Sequence, residues 1–385
     1  MLMYRPDYRI ILLLAIVTCM GIRDAAAASP PVYHVTDLGT LGGTSSNGNG
    51  VNDSGQVTGF SHTTGDAAVH AFLYDGTMHD LGTLGGADSN GIGINDSGQV
   101  SGYSYTTGTD FFSSHAFLYD GTMRDLGTLG GTSSYGTGIN NSGQMTGVSS
   151  TIEDAASHAF FYDGLMHDLG TLGGTDSYGN AINVSGQVTG YSQTTGDAAD
   201  HAFLYDGTMN DLGTLGGTDS YGNAINNSGQ VTGQSYTIGD AAYHAYLYDG
   251  TMHDLGTLGG TDSYGIGMNN NGEVTGYSQT TADATYHAFL YTSGPGMVDL
   301  NTLIDPLSGW ELLFGRGIND AGQITGQGVI GGERHAFLLT PVVPEPTTLA
   351  LLALGLPLIV WRSSRQSGSG GTRGAHRPMT VLLKL

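Results

Sequence analysis

Basic side chains are scarce in this sequence. Its 385 residues include 11 Lys or Arg against 34 Asp or Glu. Between Ser29 and Val343 the only basic residues are Arg124, Arg316 and Arg334, against 31 acidic ones, a net charge of −28 over that stretch. Such a surface repels phosphate backbones and anionic lipids, which argues against nucleic-acid binding. It stays compatible with calcium, cationic polymers or high salt, and solubility alone is the simpler reading. Cysteine is scarcer still. The single Cys19 lies in an N-terminal apolar stretch, so the body carries neither disulfide nor thiol. Helical periodicity is missing: there are 65 glycines, and each Gly inside a helix costs ~1 kcal/mol. The "GTLGG" stretches lack the Lys and helix of a phosphate-binding loop. No Ser sits in the strand-to-helix context of a nucleophile elbow. Disorder does not fit either, because 39% of residues are apolar and 21 are Tyr.

What the chain does contain is one sentence written seven times, roughly "DLGTLGGTDSYGNAINNSGQVTGYSQTTGDAAYHAFLYDGTMH". Asp37, Asp80, Asp125, Asp168, Asp211, Asp254 and Asp299 open the copies, at spacings of 43, 45, 43, 43, 43 and 45. A period of this length marks a repeat architecture that overrides the usual relation of length to domain number. Each copy divides into four strand-length segments rich in Val, Ile, Leu, Thr and Tyr. In the copy from Asp211 these are "DLGTL", Tyr221 to Asn226, Gly229 to Ser235, and His244 to Gly250. Turns of the Asn52-Asp53-Ser54-Gly55 and Asp75-Gly76 types separate them. In "HAFLYDG", Phe72 and Tyr74 face one way, Ala71 and Leu73 the other, so both faces are apolar, as in a sheet held between two neighbours.

Four antiparallel strands per 43 residues match a propeller blade. The first copy starts with an extra "YHVTDLGTL" (Tyr33 to Leu41) and the last ends at "HAFLLTPV" without a following "DLGTL". The N-terminal strand is therefore expected to complete the last blade and hide its edges. This predicts an all-β, seven-bladed β-propeller of four-stranded blades closed by an N-terminal strand. An open β-solenoid is the alternative. The insertion "IDPLSGWELLFG" before Arg316 is expected to pack at the seam.

The uniformity bears on function, since a catalytic centre needs one asymmetric set of groups. The seven repeat histidines, His70, His115, His158, His201, His244, His287 and His335, are expected to make structural hydrogen bonds between strands. The Asn-Asp-Ser-Gly turns hold at most one acid each, far from the six to eight oxygen ligands of a calcium site. No cofactor, metal or catalytic residue is assigned; weak Ca2+ binding across the acidic surface stays open. An enzymatic alternative, a secreted propeller acting on glycans, would need carboxylates that break the sevenfold pattern: Glu153, Glu273, Glu311 or Glu333.

The two ends predict export. Arg5 and Arg9 precede the apolar run Ile10 to Met20, which is too short to span a bilayer. A small-residue cleavage site follows, between Ala28 and Ser29. A lipidated Cys19 is the weaker reading, since Thr18 fits it poorly. Near the other end, Pro344-Glu345-Pro346 precedes the apolar segment Thr347 to Trp361, about 22 Å as a helix against a ~30 Å hydrocarbon core, and then Arg362 and Arg365. By physics alone this is a marginal membrane anchor or a packed helix. The order of tripeptide, apolar run and basic cluster resembles the PEP-CTERM sorting signal of Gram-negative bacteria, here followed by a Ser/Gly/Arg-rich tail. The repeat wording resembles the bacterial extracellular HAF repeat family, from His70-Ala71-Phe72 through His335-Ala336-Phe337.

These resemblances imply an exported protein handed to an exosortase-like transpeptidase, at the cell surface or in the extracellular matrix. They imply membrane contact only through the C-terminal segment before processing. The expected organisation is a signal peptide (1–28), seven repeats forming one propeller (29–342), the sorting segment (343–365) and the tail (366–385). The expected role is non-enzymatic: adhesion or scaffolding associated with extracellular polysaccharide.

Overall fold

The computed structural model describes residues 32–106 and 113–342. The cleavage residues Ala28 and Ser29, the sorting residues Pro344, Glu345, Pro346, Arg362 and Arg365, and the tail lie outside the described residues. All regular structure within them is β-strand, apart from single 3-10 turns.

Each blade is an antiparallel run of four strands, blades VII and I being joined by a single parallel pair, Ser45 with Arg334. In blade II these are Gly85–Ile94, Val100–Thr106, Ser114–Tyr119 and Met123–Asp125, from the innermost to the outermost. Blades I to VI repeat this order. Blade VII takes only three strands from its own repeat, Trp310–Ile318, Ile324–Ile330 and Glu333–Pro341. Its outer strand is Tyr33–Asp37, antiparallel to Glu333–Pro341, with Tyr33 opposite Pro341 and Asp37 opposite Phe337. The ring is therefore closed by the N-terminal strand, and the molecule is a seven-bladed propeller, not an open solenoid.

Two strand expectations need correction. "DLGTL" is not the outer strand: that strand is the three-residue "MHD" type, Met209–Asp211 in blade IV, and in blade VII it is "YHVTD". The chain leaves the sheet at the Asp. Its carboxylate accepts the N–H two residues on, as Asp80 does from Gly82 at 2.8 Å, and Gly82 adopts φ 72°. The innermost strand also starts earlier than expected, at Gly216 and not at Tyr221 in blade V. Two register shifts let these ten residues pair with the seven of Val231–Thr237.

The blades pack through the two apolar faces of the "HAF" strand. Ala71 of blade I lies in one cluster with Leu81, Val100 and Phe117, the last two in the sheet of blade II. Phe72 packs the other way, with Ala336 and Leu338 of blade VII. The repeat aromatics Phe72, Phe117, Phe160, Phe203, Tyr246, Phe289 and Phe337 are all fully buried, each contributing about 1.5–3 kcal/mol relative to exposure. A buried serine pins neighbouring blades together. Ser89 accepts the Ala71 N–H at 2.9 Å and donates to the Gly82 carbonyl at 2.6 Å. At the seam, Ser46 does the same for Ala336 and Gly39. The insertion packs there as expected: Leu303 and Ile304 share a cluster with Tyr33, and the Leu303 carbonyl accepts the Tyr33 N–H at 2.8 Å.

The hub is a second closure device. The buried first Asn of each turn donates through Nδ2 to the carbonyl of the equivalent Asn one blade on. These bonds run from Asn52 to Asn95 and onward to Asn319, which returns to Asn52, at 2.8 to 3.5 Å. The same Asn oxygen accepts two N–H groups of its own turn, Ser54 and Gln56 for Asn52. Turn chemistry explains the second role. The first, a ring of seven interblade bonds, depends on groups about one repeat apart and was not foreseen.

Candidate functional site

The repeat histidines stand where a structural role predicts. Each Nδ1 meets the carboxylate of the Asp ending the outer strand, His70 with Asp80 at 2.9 Å and His244 with Asp254 at 2.8 Å. The seventh pair crosses the seam, His335 with Asp37 at 3.0 Å. The same Asp caps the exit turn, so the pair ties the outer strand to its neighbour and sets the path into the next blade. The bond from Asp254 raises the His244 pKa despite opposing burial. On Asp254, burial pushes upward, yet the bonds from His244 and the Gly256 N–H leave the carboxyl below its usual value.

A raised imidazole value stabilises the fold fully below the unfolded pKa of about 6.5 and loses that contribution as pH rises through the folded value. The lowered carboxyl contributes above about pH 3.9 and loses its contribution as pH falls through its folded value. The His244–Asp254 pair is thus strongest between those limits. An NMR titration should place the His244 midpoint above that of free imidazole, and Asp254→Asn should bring it down. An unchanged midpoint in the variant would remove Asp254 as the cause.

The four pattern-breaking glutamates are not brought together as a catalytic pair. Glu153 stands on a 3-10 turn of blade III. Glu273 accepts from Asn269 at 2.6 Å in a hub turn. Glu311 lies 3.9 Å from His287, and Glu333 3.5 Å from His335.

The asymmetry lies elsewhere, on one face of the blades. Several positions per blade vary there, three of them on successive strands. On the innermost strand they are Asn47, Asn90, Tyr135, Tyr178, Tyr221, Tyr264 and Phe314. Opposite them on the second strand are Phe60, Tyr103, Val148, Tyr191, Gln234, Tyr277 and Gln327. The third strand adds Val69, Ser114, Ser157, Asp200, Tyr243, Tyr286 and Arg334. Period-2 alternation puts these on the side of the sheet that carries the interblade Ala. They line the clefts between blades. Between blades I and II the cleft is a cavity of about 250 Å³ lined by Phe60, Val69, Asp88, Asn90, Tyr103 and Tyr105.

From blade IV to blade VII the same side carries aromatic rings in continuous contact. Tyr178 stacks on Tyr191 at 4.6 Å, and Tyr191 meets Tyr221 edge-on at 4.8 Å. The arc continues through Tyr243, Tyr264 and Tyr277 to Phe314, whose ring lies 5.1 Å from Tyr277. Most of these rings are half-buried, with an edge or face open. Burial raises the Tyr221 hydroxyl pKa to about 12, with Asp200 adding to the shift. The Tyr221 hydroxyl donates to Asp200 at 3.3 Å. Burial, with Asp219 and Asp176 nearby, raises Asp200 above the usual carboxyl range.

The channel through the ring is another concavity. Near the hub, a cavity of about 300 Å³ is lined by the turn residues from Asn52 and Asp53 round to Asn319 and Asp320. Further along, about 430 Å³ is lined by the innermost strands, with Asn49, Thr137, Asn180, Asn223 and Arg316 as its main polar groups. Among the described residues no cluster of three or more His, Cys, Asp or Glu is placed to hold a metal ion. No helix there is long and apolar enough to cross a membrane.

Fold and site together define an exportable seven-bladed propeller with a constant scaffold and one variable, tyrosine-rich face. Residues 342–366 match the family described as the PEP-CTERM protein-sorting motif. A chain with this motif is an exported, surface-associated protein of Gram-negative bacteria, processed by an exosortase-like enzyme. Among curated proteins, none matches the sequence. Solved structures similar to it include the sialidase of Trypanosoma rangeli bound to the inhibitor DANA, at 10% identity and a TM-score of 0.36, covering 83% of this chain and 57% of that one. A structural-genomics protein from Bacteroides thetaiotaomicron is similar at 11% identity and a TM-score of 0.36, covering 80% of this chain and 76% of that one. The chain thus spans little more than half of the sialidase. At such identities and scores these likenesses carry no functional argument.

Proposed function

We propose that this propeller is a non-enzymatic, surface-displayed binding body that holds extracellular polysaccharide on its variable face. The observation that carries this reading is the aromatic arc from Tyr178 to Phe314, set beside amides and carboxylates at positions where the repeats differ widely. Tyrosine offers a rigid apolar face for the C–H face of a sugar and a hydroxyl for its rim. Asn180, Asn223, Gln234 and Asp200 supply donors and acceptors close by. Repeated weak contacts along a polymer add up through effective concentration, which suits adhesion or scaffolding better than capture of a small molecule. The resemblance to extracellular HAF repeats and the sorting motif support a cell-surface or matrix setting for such a body.

One observation favours a second reading. Asp200 lies in a cleft, its proton affinity raised by burial, in contact with the Tyr221 hydroxyl, a combination suited to acid–base work on a glycan. A single experiment separates the two. The purified protein is applied to a glycan array, and retained oligosaccharides are checked for cleavage. Intact glycans are expected to be retained, with affinity falling about two- to tenfold for each of Tyr178→Ala and Tyr264→Ala, from ~0.5–1.5 kcal/mol per aromatic contact, at unchanged melting temperature. Retention of nothing would sink the binding reading. Cleavage abolished by Asp200→Asn would replace it with the enzymatic one.

A further inference from the structure

Each innermost strand carries a bulge two residues before its hub end, and the bulge residue lines the channel. These residues are Asn49, Ile92, Thr137, Asn180, Asn223, Ile266 and Arg316. Bulges re-aim side chains, and all seven of these residues line one cavity. The polar members are satisfied by the next blade. Asn49 donates to the Gly91 carbonyl, Thr137 to Gly179, Asn180 to Gly222 and Asn223 to Gly265, each at 2.8 Å.

Arg316 does not follow them. It forms no hydrogen bond and no ion pair among the described residues, and its Nε is shielded from solvent without a partner. Its guanidinium lies 5.8 Å from the centre of the Phe314 ring. Burial lowers its pKa, partly offset by Tyr277. Shielding a guanidinium N–H from water without a partner is costly. The cost falls on one of only three basic residues in a body with 31 acidic ones, yet no carboxylate lines the cavity it faces. A chain so rich in carboxylates has not supplied this guanidinium with one.

We propose that Arg316 anchors an anion-binding subsite on the channel wall, taking the carboxylate or sulfate group of an acidic sugar, with Phe314 and Tyr277 beside it. This rests on the polysaccharide reading and names its ligand class: an anionic glycan whose neighbouring units lie on the tyrosine arc. Arginine suits the role because its fork pairs with a planar carboxylate or with sulfate through two parallel bonds. The negative field of the body opposes approach and is screened within ~8 Å at physiological salt, so binding of the acidic ligand is expected to strengthen, not weaken, on raising salt from very low values.

The test uses the full chain, a hexamer of galacturonic acid, its neutral methyl ester and inorganic sulfate. Arg316→Asn imports the side chain that blades I, IV and V carry at this position, so the fold is retained. Arg124→Gln removes an exposed arginine on the outer strand of blade II, away from the variable face, as a control. The wild type is expected to bind the acidic hexamer tighter than the ester by about tenfold or more, in line with a charge-assisted bidentate pair. Arg316→Asn should erase that preference without weakening the ester, and Arg124→Gln should keep it. Equal binding of both hexamers by the wild type, or a preference surviving in Arg316→Asn, overturns the subsite and leaves glycan binding standing. If neither hexamer binds, the glycan reading fails, and a sulfate titration followed on the Arg316 Nε–H NMR signal decides the site: a saturable shift upholds anion binding, and no shift overturns it.

Discussion

Removing the closing strand, residues 33–37, is expected to lower the melting temperature by roughly 10 °C or more and to make the propeller aggregate. Tyr33 is 4% exposed and shares a cluster with Leu303, Leu312 and Leu339; the burial of one such ring contributes about 2–3 kcal/mol. The deletion also breaks five residues of ladder and leaves His335 without Asp37. Each kcal/mol shifts Tm by about 2–4 °C at this size. The strand Glu333–Pro341 becomes an exposed edge with unpaired N–H and C=O groups, a template for pairing between molecules. Calorimetry with size-exclusion chromatography checks both effects. A synthetic peptide of residues 33–41 added in trans should recover part of the loss. Unchanged melting and a monomeric elution would mean that the hub ring alone closes the molecule.

A second large effect is expected from Gly190→Val, at a loss of about 4 kcal/mol or more, the range reserved for changes a core cannot absorb. Gly190 lies on the second strand of blade IV opposite Gly179. A Cβ there would run into the carbonyl of Tyr178 on the innermost strand. The obstacle is backbone, so no rotamer change relieves it. The two strands would have to separate at the point where the tyrosine arc begins. Gly207→Ala is the control: it lies in an exposed turn at φ 112° with open space around it, and about 1 kcal/mol is expected. Urea denaturation compares them. Equal costs would show that backbone conformation, not close approach, dictates the glycine.

The two experiments probe the scaffold, and the glycan measurements probe what it displays. The division follows the repeat itself. Buried Phe, Ala, Ser and hub Asn recur because each must fit the same interblade geometry seven times. The face positions meet mainly solvent or each other, so they are free to differ.

Much of this was legible in the chain. Both apolar faces of "HAFLYDG" announced a sheet held between sheets, and the spare "YHVTDLGTL" announced closure. The strand boundaries around "DLGTL" were not legible, because an Asp followed by Gly two residues on reads equally as strand or exit turn until its carboxylate is seen to accept the Gly N–H. The role of Arg316 was hidden too. Its sequence neighbours Gly315 and Gly317 do not reveal a bulge, and only the register with Gln327, Gly326 and Thr325 turns its side chain toward the channel.

The sequence by itself determined the period, the all-β class, the number of blades, the partner of the last one and the C-terminal sorting signal. These follow from local chemistry, repeated: alternation, turn residues and the order of segments. Tertiary structure alone decided which residues meet across blades. Asn52 bonds to Asn95, Ser89 to Ala71, and Tyr191 packs on Tyr221, though 18 to 43 positions separate them. Such contacts depend on the rotation from one blade to the next. That rotation is set by the packing of whole sheets, and no single repeat contains it.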